Sequence, residues 1–269
     1  MLKKLIKYDL KYGAKIFIVI HALLWIAAIF GRVFFLDRID FEAPTEQLVS
    51  VLVLFFSAFV LLFSVVSLAT ALLIAARFYK NLFTDEGYLT WTLPASPVQQ
   101  LWAKILSGCI WNILDLILLY SATYFMWISP NVQNAYRMIA AEFTASLGMP
   151  LSKFFLLMVL LSIIGVGSNV LMLYASISIG QLFPAHRLLL SVIVYFIFYM
   201  IIYALSMGAL IIFKLLPGIA LSANTVNEAA SMSTYLTGTF LISLVLSAVM
   251  AVIQYVITHL ILTRKLNLI

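Results

Sequence analysis

Six long apolar segments constrain the fold of this chain more than any other feature. Each is near or above the roughly 20 residues that an α-helix needs to cross the hydrocarbon core of a bilayer. Only 10% of the residues are charged, whereas soluble domains carry about 25%, so the apolar surface cannot be hidden in a soluble core. The sequence therefore predicts an all-α, polytopic membrane protein with six transmembrane helices. They are expected at about 16–35, 48–76, 105–128, 154–179, 188–213 and 236–262.

The first fifteen residues form an amphipathic pattern ahead of the first apolar segment. At 100° per residue, five lysines fall within an arc of about 120°, and apolar side chains fall opposite. We expect residues 1–15 to form an interfacial helix with its lysines toward anionic lipid headgroups or an acidic partner, before a transmembrane domain at 16–269. The alternative is that these cations only set the topology. The lysines are Lys3, Lys4, Lys7, Lys11 and Lys15.

The distribution of positive charge predicts the orientation. If both termini lie on one side, eleven of the sixteen Lys and Arg residues lie on that side. The first loop on the other side is acidic, with Asp37, Asp40, Glu42 and Glu46. The positive-inside rule then places both termini and residues 77–104 in the cytoplasm. The eleven cations are Lys3, Lys4, Lys7, Lys11, Lys15, Arg77, Lys80, Lys104, Arg187, Arg264 and Lys265.

Residues 77–104 are the longest mostly polar run between two apolar segments. Ser96 and Pro97 predict a helix start, with Gln99 able to reach back to the N-cap. Pro94 ends any helix or strand that precedes it. Residues 84–93 are therefore a short unit between two breaks.

This short unit has two possible structures. Thr84 can cap a helix, and Asp85 and Glu86 would lie in its first turn, where the helix dipole favours carboxylates. The alternation of polar and apolar residues at 89–93 also suits an edge strand. The helix is favoured.

The order of residues in this loop resembles the loop between the second and third helices of ABC-2 type transporter permeases. That family carries a Glu and a Gly, a Pro-small-Ser turn, and a Gly-Lys pair that re-enters the membrane. Here Ala103 replaces the glycine of that pair, and the arginine that often accompanies the glutamate is missing. The residues that carry the resemblance are Asp85, Glu86, Gly87, Leu93, Pro94, Ala95, Ser96 and Lys104.

The resemblance implies the permease subunit of an ATP-driven ABC transporter in the plasma membrane, expected from a bacterium. It implies export of a peptide, an antimicrobial or a lipid-like molecule, and a second permease chain, identical or similar, completing the path. ATP and Mg would bind a separate ATPase subunit. The chain itself has no Gly-rich Lys-Ser/Thr phosphate loop and no common metalloprotease or serine-hydrolase signature. We expect neither enzymatic activity nor nucleic-acid binding.

The same resemblance assigns residues 84–93 as a coupling helix that docks on the ATPase. Asp85 and Glu86 would pair with basic residues there, while Tyr88, Trp91 and Leu93 would fill an apolar groove. The alternative for the two aromatic residues is anchoring at the headgroup level. The expected coupling residues are Thr84, Asp85, Glu86, Gly87, Tyr88, Trp91 and Leu93.

Asp115 is the one acidic residue deep in an apolar segment, and Asn112 lies one turn before it on the same face. A carboxylate in lipid costs about 2.5–3.5 kcal/mol on insertion scales, so it must face the bundle or water. Asn112, Asp115 and Asn169 are candidates for a translocation path, with helix packing as the alternative. His21, His186 and His259 stand apart from acidic residues in sequence, so no metal site is expected.

Asp115 also supports two other functions. An ion- or proton-coupled secondary carrier would use it as the coupling group, and a membrane-embedded enzyme would use it with a polar neighbour. Among the outer loops, we expect a short helix around 134–147 and leave open whether 215–223 dips back into the membrane.

Overall fold

The structure, a computed structural model, describes residues 1–39, 45–216 and 232–264, without the side chains of 45–47. These residues form α-helices, two short turns of other helix types and connecting loops, and no strand occurs among them. The segment at 215–223 lies mostly outside this range. The α-helices are α1 (Leu2–Gly31), α2 (Thr45–Phe83), α3 (Asp85–Trp91), α4 (Pro97–Trp127), α5 (Pro130–Leu147), α6 (Leu151–Gly180), α7 (Arg187–Ile212) and α8 (Met232–Arg264).

Six of these helices are long and apolar enough to cross a membrane, namely α1, α2, α4, α6, α7 and α8. The prediction of an all-α chain with six helices of spanning length is confirmed. Several helices extend beyond the apolar segments. The longest, α2, has 39 residues, or about 58 Å at 1.5 Å per residue, well beyond the roughly 30 Å of a hydrocarbon core.

The first helix is continuous through the boundary expected at residue 15. No break separates residues 1–15 from the first spanning segment, because the chain has no proline before Pro44 and Gly13 is tolerated within the helix. One stripe of α1 is buried and packs chiefly against α4. It consists of Asp9, Gly13, Phe17, His21, Leu24, Ala28 and Gly31.

The polar run between α2 and α4 folds into a short helix, as favoured over a strand. Residues 85–91 are helical, and α4 begins at Pro97. Its capping box is present as predicted, since Gln99 N–H donates to Ser96 Oγ and Ser96 N–H donates to Gln99 Oε1, both at 3.3 Å. The α3 end of the bundle is defined here as α3 with the adjoining ends of α1, α2 and α4.

The largest apolar core lies near the α3 end, where α2, α4 and α6 meet. Phe78 stacks on Tyr174 with the ring centroids 3.9 Å apart. Gly108 lets α4 lie close to Tyr174 of α6, because a Cβ at this position would lie 2.9 Å from the Tyr174 hydroxyl oxygen. Helix α8 packs against α6 and contributes Leu262 to this core, whereas α7 packs against α6 outside it.

The opposite end of the bundle carries α5 and is called the α5 end. The helix expected around 134–147 is present but begins earlier, at Pro130. Proline suits the first turn of a helix because it has no N–H group to leave unpaired there. Asn131 donates to the carbonyl groups of Leu36 and Ile39, which ties α5 to the end of the first span.

Candidate functional site

Helix α3 is fixed to the two long helices beside it. The indole N–H of Trp91 donates to the carbonyl of Leu82 in α2, at 3.3 Å. The buried amide of Gln100 in α4 donates to the carbonyl of Thr90, at 2.7 Å. Gly87 and Thr90 form the buried face of α3. A displacement of α3 therefore acts on α2 and α4 directly.

The outward face of α3 is acidic and apolar. Asp85, Glu86, Tyr88 and Leu89 of α3 are all exposed, and so is Leu93, two residues after the helix ends. Leu89 is 74% exposed, although it was not among the predicted coupling residues. Because it stands outside the buried core, its apolar surface is available to a partner.

Two coupling residues differ from their expected roles. Trp91 packs against the core that contains Phe78 and Leu82, so its ring is already used within the chain. Thr84 occupies the N-cap position, but its side chain makes no cap hydrogen bond and donates instead to the carbonyl of Lys80. The Thr84 hydroxyl therefore satisfies a carbonyl group in the last turn of α2 and does not cap the N-terminus of α3.

A charged cluster joins α3 to α1, α2 and α4. Buried Asp9 accepts from Lys104 at 2.6 Å and from Arg77 at 3.0 Å, both through Oδ1. Arg77 also donates to Glu86 of α3 at 3.2 Å, and its guanidinium lies 4.4 Å from the ring centroid of Tyr12. Arg77 thus supplies, from α2, a partner for Glu86 that the sequence did not predict.

Asp115 lies in a second polar cluster inside the bundle. Its Oδ1 is 2.8 Å from His21 Nε2, and it accepts from Ser67 through Oδ2 at 3.0 Å and from Thr70 through Oδ1 at 3.2 Å. His21 Nδ1 donates to the carbonyl of Phe17 at 2.9 Å. The cluster connects α1, α2 and α4. His21 is isolated from acidic residues in sequence, but helix packing places it beside Asp115, 94 positions away.

The other two translocation candidates are placed differently. Asn112 is buried on α4 one turn before Asp115, and its Nδ2 has no hydrogen-bond partner in the part of the chain that the structure describes. Asn169 lies half-buried on α6 and is not among the described hydrogen-bond partners of Asp115. The cluster at Asp115 is therefore built by His21, Ser67 and Thr70 rather than by Asn169.

Two cavities adjoin the charged cluster. A cavity of about 20 Å³ lies between the two clusters, and another of about 160 Å³ lies beside α3. Both are lined by Asp9, Arg77 and Lys104. Across 1–39, 45–216 and 232–264, no three His, Cys, Asp or Glu side chains gather as metal ligands would.

Comparison with family models, with curated proteins and with solved structures finds no match to this chain.

Proposed function

We propose that this chain is the permease subunit of an ATP-driven transporter of the ABC-2 type. Both termini and α3 would face the cytoplasm of the plasma membrane. The observation that carries the proposal is α3 itself, a separate short helix with an outward acidic and apolar face and firm attachments to two spanning helices. A chain without a phosphate loop needs such a surface to receive force from a separate ATPase.

The contacts of α3 support a mechanical role. Movement imposed by an ATPase would pass to α2 through the Trp91–Leu82 hydrogen bond and to α4 through the Gln100–Thr90 hydrogen bond. The Arg77–Glu86 ion pair adds a second connection to α2. ATP-driven closure of the motor would thus tilt the spanning helices together, while ATP and Mg stay on the ATPase.

The exposed side chains of α3, with Leu93 just after it, define the partner's surface. Asp85 would pair with a basic residue of the ATPase, while Tyr88, Leu89 and Leu93 would fill an apolar groove on it. Aromatic and aliphatic anchors in a desolvated pocket supply most of the free energy of such interfaces. Glu86 contributes less to the partner, because Arg77 already engages it within the chain.

A second permease chain would complete the transport path. Six spanning helices form half of such a path in the family that the loop resembles, and α7 offers a broad apolar surface away from the core. That surface includes Ile193, Phe196, Ile197 and Met200. Peptides, antimicrobials and lipid-like molecules are the substrate classes we propose.

Charge and polarity changes on α3 test the docking surface. Asp85→Lys removes the acidic anchor, and Leu89→Asp places a charge in the proposed apolar contact. The matched control is Glu142→Lys, which makes the same charge change on an exposed residue of α5. We expect both α3 variants to lose the co-purifying ATPase and its ATP hydrolysis, and the control to keep them. If the α3 variants retain both properties at the level of the control, the docking assignment is wrong.

A further inference from the structure

One oxygen of the buried Asp9 carboxylate accepts all of its hydrogen bonds. Lys104 Nζ donates to Oδ1 at 2.6 Å, and Arg77 Nε donates to the same atom at 3.0 Å. The other oxygen, Oδ2, is buried and has no partner in residues 1–39, 45–216 and 232–264. A buried oxygen of a charged group that accepts no hydrogen bond is costly. A donor from outside this part of the chain would therefore stabilise Asp9.

The two cations beside Asp9 have unused donors. An ammonium carries three N–H groups and a guanidinium carries five. Among the described residues, the Lys104 ammonium donates to Asp9 alone, and Arg77 donates through Nε to Asp9 and through Nη1 to Glu86. A ligand that completes this cluster therefore supplies acceptor oxygens as well as a donor.

The charges of the cluster cancel. Arg77 and Lys104 are positive, whereas Asp9 and Glu86, both paired with Arg77, are negative. Basic pockets between spanning helices attract anionic lipid headgroups, but this cluster carries no net charge. The complementary ligand therefore has a positive and a negative group and is neutral as a whole.

A cavity beside α3 gives such a ligand access to the cluster. It has a volume of about 160 Å³, and Asp9, Arg77 and Lys104 line it together. About 10–15 Å³ is enough to hold one water molecule, so a small polar headgroup fits in this space. Leu5 and Ala103 add an apolar part to its wall.

The cavity lies at the level expected for lipid headgroups. Arg77 directly follows the apolar segment at 48–76, and Lys104 directly precedes the apolar segment at 105–128. An exposed stripe on α1, called the α1 stripe, runs from the cavity into the spanning part at helical spacing. It begins at Tyr8, which lines the cavity, and continues through Tyr12, Ile16, Val19 and Leu23. A lipid with its headgroup in the cavity can keep its acyl chains along this stripe.

We propose that this cavity binds the ethanolamine phosphate headgroup of a phospholipid from the leaflet at the α3 end. The phosphate accepts from Lys104 and Arg77, and the ammonium donates to Asp9 Oδ2. A choline headgroup has the same charges but no N–H group, so it leaves Oδ2 without a donor. A glycerol headgroup has hydroxyl donors but carries a net negative charge. The site does not depend on a docked ATPase.

Native mass spectrometry of the full chain tests the headgroup. The protein is released from micelles that contain one of four phospholipids with identical acyl chains and with ethanolamine, N,N-dimethylethanolamine, choline or glycerol headgroups. We expect the ethanolamine lipid to bind about tenfold more tightly than the choline lipid, because only the former makes the charged hydrogen bond to Asp9. The dimethyl headgroup keeps one N–H group and should bind like ethanolamine.

Three results of this lipid series would overturn the proposal. The first is equal binding of the ethanolamine and choline lipids, which is also the result expected if a water satisfies Asp9 Oδ2. The second is tighter binding of the glycerol lipid, which would show a site for anionic headgroups. The third is a dimethyl lipid that binds as weakly as the choline lipid.

Asp9→Asn tests whether the preference arises in this cavity. An amide nitrogen in place of Oδ2 donates and cannot accept, so the ethanolamine and choline lipids should bind equally. If this variant does not fold, Leu5→Trp is compared with Leu2→Trp. Both leucines are half-buried on α1, and of the two only Leu5 lines the cavity. Leu5→Trp places a larger ring in the headgroup space and should lose the ethanolamine preference, whereas Leu2→Trp should keep it. A preference that persists in Asp9→Asn or in Leu5→Trp overturns the proposal.

Glycerophosphoethanolamine distinguishes a lipid from a soluble ligand with the same chemistry. It keeps the phosphate and the ammonium but has no acyl chains to contact the α1 stripe. We expect it to displace the bound ethanolamine lipid only at much higher concentration than the lipid itself. Displacement at equal concentration would overturn the assignment to a lipid.

Discussion

Asp9→Asn tests whether the charged cluster stabilises the α3 end. Asp9 is 5% exposed and lies 2.6 Å from the ammonium of Lys104, whose side chain is 4% exposed. Removing one charge of a buried ion pair costs about 3–5 kcal/mol, because the remaining charge is left uncompensated. Arg77 keeps Glu86 as a partner, so most of the penalty belongs to Lys104. We expect Asp9→Asn to lower the free energy of unfolding by about 3–5 kcal/mol.

Two further variants make this result specific. Lys104→Met in the Asp9→Asn background removes the uncompensated charge at similar volume and should recover at least half of the loss. Glu86→Gln breaks an exposed contact of the same arginine and should cost under about 1 kcal/mol. Denaturant unfolding in mixed micelles, followed by circular dichroism, measures all three. A cost for Asp9→Asn no larger than that for Glu86→Gln, or no recovery with Lys104→Met, would refute the reasoning.

Four other predictions concern helix contacts and one helix cap. Gly180→Ala should cost about 1–3 kcal/mol in unfolding experiments, because its Cβ would lie 2.7 Å from the Arg187 carbonyl oxygen. Gly165→Ala, with open space at its Cβ, should instead stabilise α6 by about 0.5–1 kcal/mol. Gln100→Leu removes the hydrogen bond to α3 and should raise amide hydrogen exchange at residues 85–91. Ser96→Ala removes the α4 cap and should cost about 1 kcal/mol in the same unfolding assay.

The sequence predicted features that depend on local chemistry. Six apolar runs required six spanning helices, because backbone groups in lipid must be satisfied within a helix. The capping box at Ser96 and the break at Pro94 isolated residues 84–93 as a unit. These signals lie within a few residues of one another, so no knowledge of packing was needed.

Contacts between distant helices were not predicted, although two had signals in the sequence. Asp9 is the only acidic residue before Asp37, and at 100° per residue it lies on the face opposite the lysines. His21 continues that face at helical spacing through Gly13 and Phe17. The missing information was which helix would pack there, and α4 provides both Lys104 and Asp115.

No comparable pattern in the sequence indicated that Trp91 would point into the chain's own core. A tryptophan in a polar loop is equally compatible with a partner's groove and with the chain's own core. Its N–H bond to the Leu82 carbonyl depends on how α3 folds back on α2. Leu89 was missed for the complementary reason, since its exposure follows from that same orientation.

Site-specific photocrosslinking in cells tests the proposed docking of an ATPase most directly. The probe is placed at Leu89 on α3 and, as a control of equal exposure, at Met138 on α5; these residues are 74% and 75% exposed. Crosslinking from Leu89, but not from Met138, to a protein that carries a phosphate loop and hydrolyses ATP is the predicted result. Substrate transport by the purified chain without any ATPase, or an ATPase captured only from Met138, would contradict the account.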